Sequence, residues 1–134
     1  MKRDKILLIY IYKLRKKIIK LVLRIVYNCD ISLDANIDPS VFFCHKGFGI
    51  AINKNVTISS GVKIQHKVTI GILKDENDST YIGENTFIGA GAMILGNIVV
   101  GSNCKIGAGA VVISDVPNNS TAVGVPARII KFER

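Results

Sequence analysis

The chain has 134 residues, 18 of them Lys or Arg against 10 Asp or Glu, for a formal net charge of +8. That length suits a single domain with a modest core, a size that often gains stability from oligomerisation. Nine basic residues and only Asp4 fall in positions 1–28, leaving nine basic and nine acidic residues in 29–134. The body is therefore neutral, and it lacks both the basic footprint and the stacking aromatics of a nucleic-acid binder.

Residues 1–28 read as a basic amphipathic helical segment. Leu7, Ile11, Leu14, Ile18, Leu21 and Ile25 recur at alternating steps of four and three, and Lys13, Lys17, Lys20 and Arg24 form a second stripe. The uncharged run Ile6–Tyr12 is too short to span a bilayer, and its flanks do not fit a cleaved signal peptide. Two expectations follow. Either the basic stripe makes peripheral contact with an anionic membrane surface, or the apolar pattern packs three such helices together or onto the base of the following domain. Cys29, Cys44 and Cys104 are odd in number and form no CxxC pair, which fits reduced thiols in a cytoplasmic protein, at the inner membrane face if the helix binds lipid.

The stretch FFCHKGFGIAI, residues 42–52, holds His45, and His66 is the only other histidine. Acid–base chemistry near neutral pH runs through one of these two positions. A nucleophilic thiol pair of Cys44 with His45 is disfavoured, because adjacent residues on a β face point apart. Two histidines without a closely spaced carboxylate make a poor metal set, so no metal is expected. Asp30, taken alone, is equally a turn or capping residue.

From Ile52 onward an aliphatic residue returns every sixth position: Ile58, Ile64, Ile70, Ile82, Ile88, Ile94, Val100, Ile106 and Val112, with Glu76 the one break. A smaller series follows four residues behind, through Val56, Val62, Val68, Thr86, Ala92, Ile98, Cys104, Ala110 and Val116. Neither a helical period nor simple alternation produces a six. The period is that of a hexapeptide β-helix, in which three short faces make one coil and coils stack at about 4.8 Å. Residues 72–81, ILKDENDSTY, read as a polar excursion loop that rejoins the coil at Ile82. The expected division is a helical segment 1–28 and a β-helix domain 29–134 ending in a C-terminal cap, 113–134. Cys104 falls in a core slot.

The run from Ile82 to Ile130, with IGAGA, LGNI, DVP and GVPAR, resembles the C-terminal half of the hexapeptide-repeat acyltransferases, most closely the serine acetyltransferases. The resemblance covers about residues 29–131. It implies a mainly β fold, a left-handed parallel β-helix that departs from the usual right-handed crossover. It also implies a homotrimer with active sites between subunits, and acetyl-coenzyme A as acyl donor. His45 stands fifteen residues after Asp30, the separation of an Asp–His dyad in those enzymes. By resemblance Asp30 orients His45, and His45 takes the proton of an acceptor hydroxyl. Gly71, Ala90 and Ala108 match the donor groove, Lys105, Arg128 and Lys131 are candidates for its phosphates, and His66 lines the site. The sequence departs from the family at the acceptor. Cys44 replaces an Asp that holds the serine amine, and Asp78, Ser79 and Thr80 replace an Arg-His-Pro set that holds its carboxylate. The expected acceptor is thus a glycan hydroxyl, of a sugar or surface polysaccharide. The alternatives are serine acetylation for cysteine biosynthesis and, in another class, a non-catalytic β-helix assembly or binding module.

Overall fold

Short β-branched segments separated by corner residues turn the six-residue period into a prism. The computed structural model describes residues 2–132, with side chains over 10–130. One face stacks β1 (Asp30–Ile31), β4 (Ala51–Ile52), β7 (Thr69–Gly71), β10 (Met93–Leu95) and β13 (Val111–Val112). The second stacks β2 (Asn36–Ile37), β5 (Val56–Ile58), β8 (Thr80–Ile82) and β11 (Ile98–Val100). The third stacks β3 (Phe42–Phe43), β6 (Lys63–Ile64), β9 (Phe87–Ile88), β12 (Lys105–Ile106) and β14 (Ser120–Val123). All these pairings are parallel; β15 (Arg128–Phe132) folds back antiparallel on β14 and ends the third face. The fold is the mainly β parallel β-helix with one N-terminal helix that the sequence pattern predicts, and its left hand is the one that the family resemblance implies.

Every aliphatic position of the six-residue series from Ile52 to Val112 is 2% exposed or less. Each such side chain, stacked on its equivalents above and below, contributes roughly 1.5–3 kcal/mol by leaving water. The smaller series is buried as well, Cys104 included, its thiol directed at the Pro117 carbonyl 3.0 Å away.

Register shows where the prism takes in extra chain. Ala51 pairs with Thr69 and Met93 with Val111, eighteen positions apart. Asp30 pairs with Ala51 and Phe42 with Lys63, twenty-one apart, so the first coil carries three additional residues between Phe43 and Ala51. Val56 pairs with Thr80, twenty-four apart, which is the excursion loop. The loop closes two residues earlier than Ile82. Thr80 is buried in β8 because its hydroxyl donates to the Gly96 carbonyl at 2.9 Å, allowing a polar residue to occupy a small core slot.

Helix α1 spans Lys2–Tyr27, and Asn28, left-handed at φ 52°, ends it. Three of its cations reach carboxylates of the first coil. Lys16 pairs with Asp34 at 2.7 Å, and Asp30 takes Arg24 at 2.9 Å and Lys20 at 3.4 Å. Ile11, Leu14, Ile18, Leu21 and Ile25 lie exposed. This differs from the expected arrangement, since Lys20 and Arg24 of the basic stripe meet carboxylates of the first coil. Leu7 and the charges before Tyr10 have side chains outside the described residues. Among the described residues no helix is long and apolar enough to cross a membrane.

Candidate active site

The three extra residues of the first coil form the corner that carries His45. Cys44–Gly47 makes a short 3-10 turn in which His45, Lys46 and Gly47 are successively left-handed, at φ 50°, 56° and 72°. Other corners place a single non-glycine residue there, such as Lys67 or Asn85. Left-handed backbone costs an L-residue about 1–2 kcal/mol. The turn is held by the buried Cys29 thiol, which donates to the Gly47 carbonyl at 2.6 Å. It projects the His45 ring outward, where it is exposed beside half-buried His66 on the next coil. The ring centroids are 4.9 Å apart at an interplanar angle of 85°. Phe48 joins them to line a pocket of about 240 Å³.

The same corner continues upward as a ladder of small residues. The Gly91 N–H donates to the His66 carbonyl at 3.0 Å, and the Gly109 N–H to the Ala90 carbonyl at 2.9 Å. His45, His66, Ala90 and Ala108 therefore share one edge of the prism. At Gly91 and Gly109, left-handed at φ +69° and +67°, an added Cβ would meet nothing within 4 Å. The backbone here is bare and open, which fits an extended donor arm lying against it.

Other sequence candidates lie elsewhere. The expected pairing of Asp30 with His45 is not made. Asp30 lines a separate cleft of about 370 Å³ with Lys20, Ser32, Lys54 and Gly71. The Arg24 guanidinium holds its carboxyl below the usual carboxylate range, aided by Lys20 against a small cost of burial. Gly71 is thus removed from the Ala90–Ala108 edge. Asp78 is turned into its own loop, where Oδ2 accepts from the backbone N–H groups of Leu73, Lys74 and Asp75 at 2.9, 3.1 and 3.3 Å. Those amides, Lys74 first, lower its pKa. Cys44 Sγ accepts from Gln65 Nε2 at 3.2 Å, so its sulfur and the His45 ring meet different partners. Lys105 and Arg128 are exposed on the third face, Lys105 three positions before Ala108. The Lys131 side chain lies outside the described residues. Sequence reasoning missed Phe48, whose signal was an aromatic inside a glycine-rich corner, and the clamp of Arg24 and Lys20 on Asp30.

The chemistry of the edge is limited and specific: an accessible imidazole, an aromatic wall and a bare backbone groove. Residues 79–114 match the family described as bacterial transferase hexapeptide (six repeats). The chain is similar to the serine acetyltransferase of Staphylococcus xylosus, 37% identical over 90% of this chain and 58% of that one. Among solved structures, the Neisseria gonorrhoeae serine acetyltransferase superposes with a TM-score of 0.83 at 34% identity, over 92% of this chain and 50% of the other. A serine acetyltransferase in complex with CoA gives 0.77 at 35%, over 90% and 51%. The chain spans about half the length of the relatives it matches.

Proposed function

We propose that the protein is an acetyl-coenzyme A-dependent O-acetyltransferase with His45 as general base. The observation that carries this reading is the single prism edge on which His45, His66, Ala90 and Ala108 come together beside open backbone. The imidazole accepts the proton of the acceptor hydroxyl as its oxygen attacks the thioester carbonyl. The C–S bond then breaks and the imidazolium returns the proton to the departing thiolate. Backbone N–H groups of the corner turns are the available donors for the developing oxyanion.

Serine is the acceptor that the relatives support, ahead of the sugar hydroxyl suggested by Cys44 and Asp78. The case against serine weakens because the Asp78 carboxylate is consumed by three amides of its own loop. A second copy of the chain facing the open edge would complete the groove, in keeping with a trimer. The test is thiol release from acetyl-coenzyme A with L-serine and with sugars, comparing the native chain with His45→Ala. Serine-dependent release that falls by roughly two to four orders of magnitude in the variant supports the reading. Sugar-dependent release without serine activity would reassign the acceptor, and equal activity of His45→Ala would end the proposal.

A further inference from the structure

We infer that α1 lies in the plane of an anionic lipid surface, its apolar side at the acyl boundary and its polar side carrying the β-helix. The inference goes beyond the proposed function and does not depend on it. A helix on a globular domain ordinarily turns its apolar stripe to the core. Here the order is reversed. At about 100° per residue, Lys16, Lys20, Leu23 and Tyr27 share one side, and these are the half-buried residues of 10–27. That side is tied down by the Gly49 N–H, which donates to the Tyr27 carbonyl at 3.1 Å, and by Lys16 on Asp34 at 2.7 Å. Ile11, Leu14, Ile18, Leu21, Val22 and Ile25 occupy the opposite side and are 43–74% exposed. The way the helix meets the first coil therefore turns the stripe outward.

The shape of the exposed side suits a flat apolar boundary. From Tyr10 to Tyr12 through Ile18 the apolar arc covers about 200° of the circumference, with Arg15 its one charge. It takes in Ile19 and Val26 as well, which the narrower seam of a coiled coil would leave uncovered. A tyrosine at each margin fits a boundary that is apolar on one side and wet on the other. Lys13 and Lys17 lie beyond the Tyr10 margin, exposed, and among the described residues no carboxylate pairs with them. Their stems and that of Arg15 set the charges at headgroup level while the neighbouring aliphatics sit deeper.

Charge decides between lipid and a second copy of the chain. Ile at 11, 18 and 25 with Leu at 14 and 21 is the lettering of a two-stranded coil, so a second copy is the competing occupant. Yet residues 5–29 hold no Asp or Glu. Two such helices would line the margins of their seam with Arg15 and Lys17 and have no acidic partner there, whereas an anionic headgroup layer supplies one.

The test is co-sedimentation of the full chain with vesicles of phosphatidylglycerol and phosphatidylcholine in equal parts, and of phosphatidylcholine alone. Sedimentation velocity without lipid reports the oligomeric state, and circular dichroism reports the fold. The native chain is expected to bind the mixed vesicles roughly tenfold or more tightly than phosphatidylcholine alone. Lys13→Gln/Lys17→Gln should weaken that binding about fivefold per cation, about thirtyfold together. Ile18→Glu/Ile25→Glu should abolish it with fold and oligomeric state unchanged. In Tyr10→Trp, emission should move to shorter wavelength on the mixed vesicles and be quenched by brominated acyl chains. The inference is overturned if the native chain leaves the mixed vesicles unbound, or if Ile18→Glu/Ile25→Glu binds them as the native chain does. It is overturned too if that variant falls to a smaller oligomer, which assigns the stripe to a second copy. None of these readouts involves acetyl transfer, so failure of the proposed function leaves them unchanged.

Discussion

The Arg24 guanidinium sits 2.9 Å from Asp30 Oδ2, six residues on, across the junction of helix and first strand. With Lys20 on the same carboxylate and Lys16 on Asp34, it fastens α1 to the first coil through charge more than through apolar packing. Both carboxylates have pKa values lowered by these partners, and that of Lys16 is raised by Asp34. The carboxylates contribute fully above about pH 4 and lose their contribution as pH falls through their lowered values. Lys16 contributes below about pH 10.4 and loses it as pH rises through its raised value. Asp30 and Asp34 are exposed and Lys16 is about one-third exposed, so the effect is small and screened by salt. Amide exchange over residues 10–27 should therefore be slowest between about pH 4 and pH 10 after correction for intrinsic rates. It should quicken in about 1 M salt, where screening acts within about 3 Å. Salt-independent protection would show that apolar contact, not charge, docks the helix.

Freeing the cations should change how the chain meets lipid. In Asp30→Ala/Asp34→Ala, Lys16, Lys20 and Arg24 lose their carboxylates. Each cation near an anionic headgroup adds about 1 kcal/mol, so the double variant should sediment with anionic vesicles at low salt more than the native chain does. Unchanged sedimentation would argue that these side chains do not reach the headgroups.

Core truncation should be costly and position-dependent. Ile88→Ala, at 0% exposure and stacked between Ile64 and Ile106, is expected to lose about 2–5 kcal/mol in urea unfolding. Val99→Ala, 49% exposed on the same prism, should stay within about 0.5 kcal/mol of native. Equal losses at the two sites would contradict the inward assignment of the six-residue series.

Gly89 tests how tightly coils stack beneath the open edge. A Cβ there would lie 2.6 Å from the Ala108 nitrogen and 2.8 Å from the Gly107 carbonyl carbon, both backbone. Gly89→Ala should destabilise by about 1–3 kcal/mol and weaken coenzyme A binding, measured by calorimetry, since the coil bearing Ala108 must shift. Native-like binding would mean that Ala108 is remote from the donor.

The fold was legible because burial in a β-helix repeats with the same period as the letters. Ile52 to Val112 needed only counting, and nothing polar interrupts the inward line outside the loop. Thr80 was missed because its buried hydroxyl is satisfied by Gly96, a partner sixteen residues away. The histidine corner was half legible. His45 and His66 stand out by residue type, but the contact between them depends on three extra residues that become visible only in strand register. The Arg24–Asp30 pair was hidden for a similar reason, since the turn at Asn28 decides which helix face looks back at the first strand.

The coil offsets of twenty-one and twenty-four against a basic eighteen have a bearing on how such a protein diversifies. Both surpluses are expelled at corners, and afterwards the inward ladder resumes on its former line, so the interior carries no trace of them. Chain length between Gly71 and Thr80 is thus nearly a free variable, since doubling a flexible loop costs only about 0.6 kcal/mol. A single residue added within a face would instead reverse which side chains point inward for the rest of that strand. Selection can lengthen, shorten or exchange these two excursions while the stacked interior stays untouched, and recognition surfaces can change without the fold being learned again.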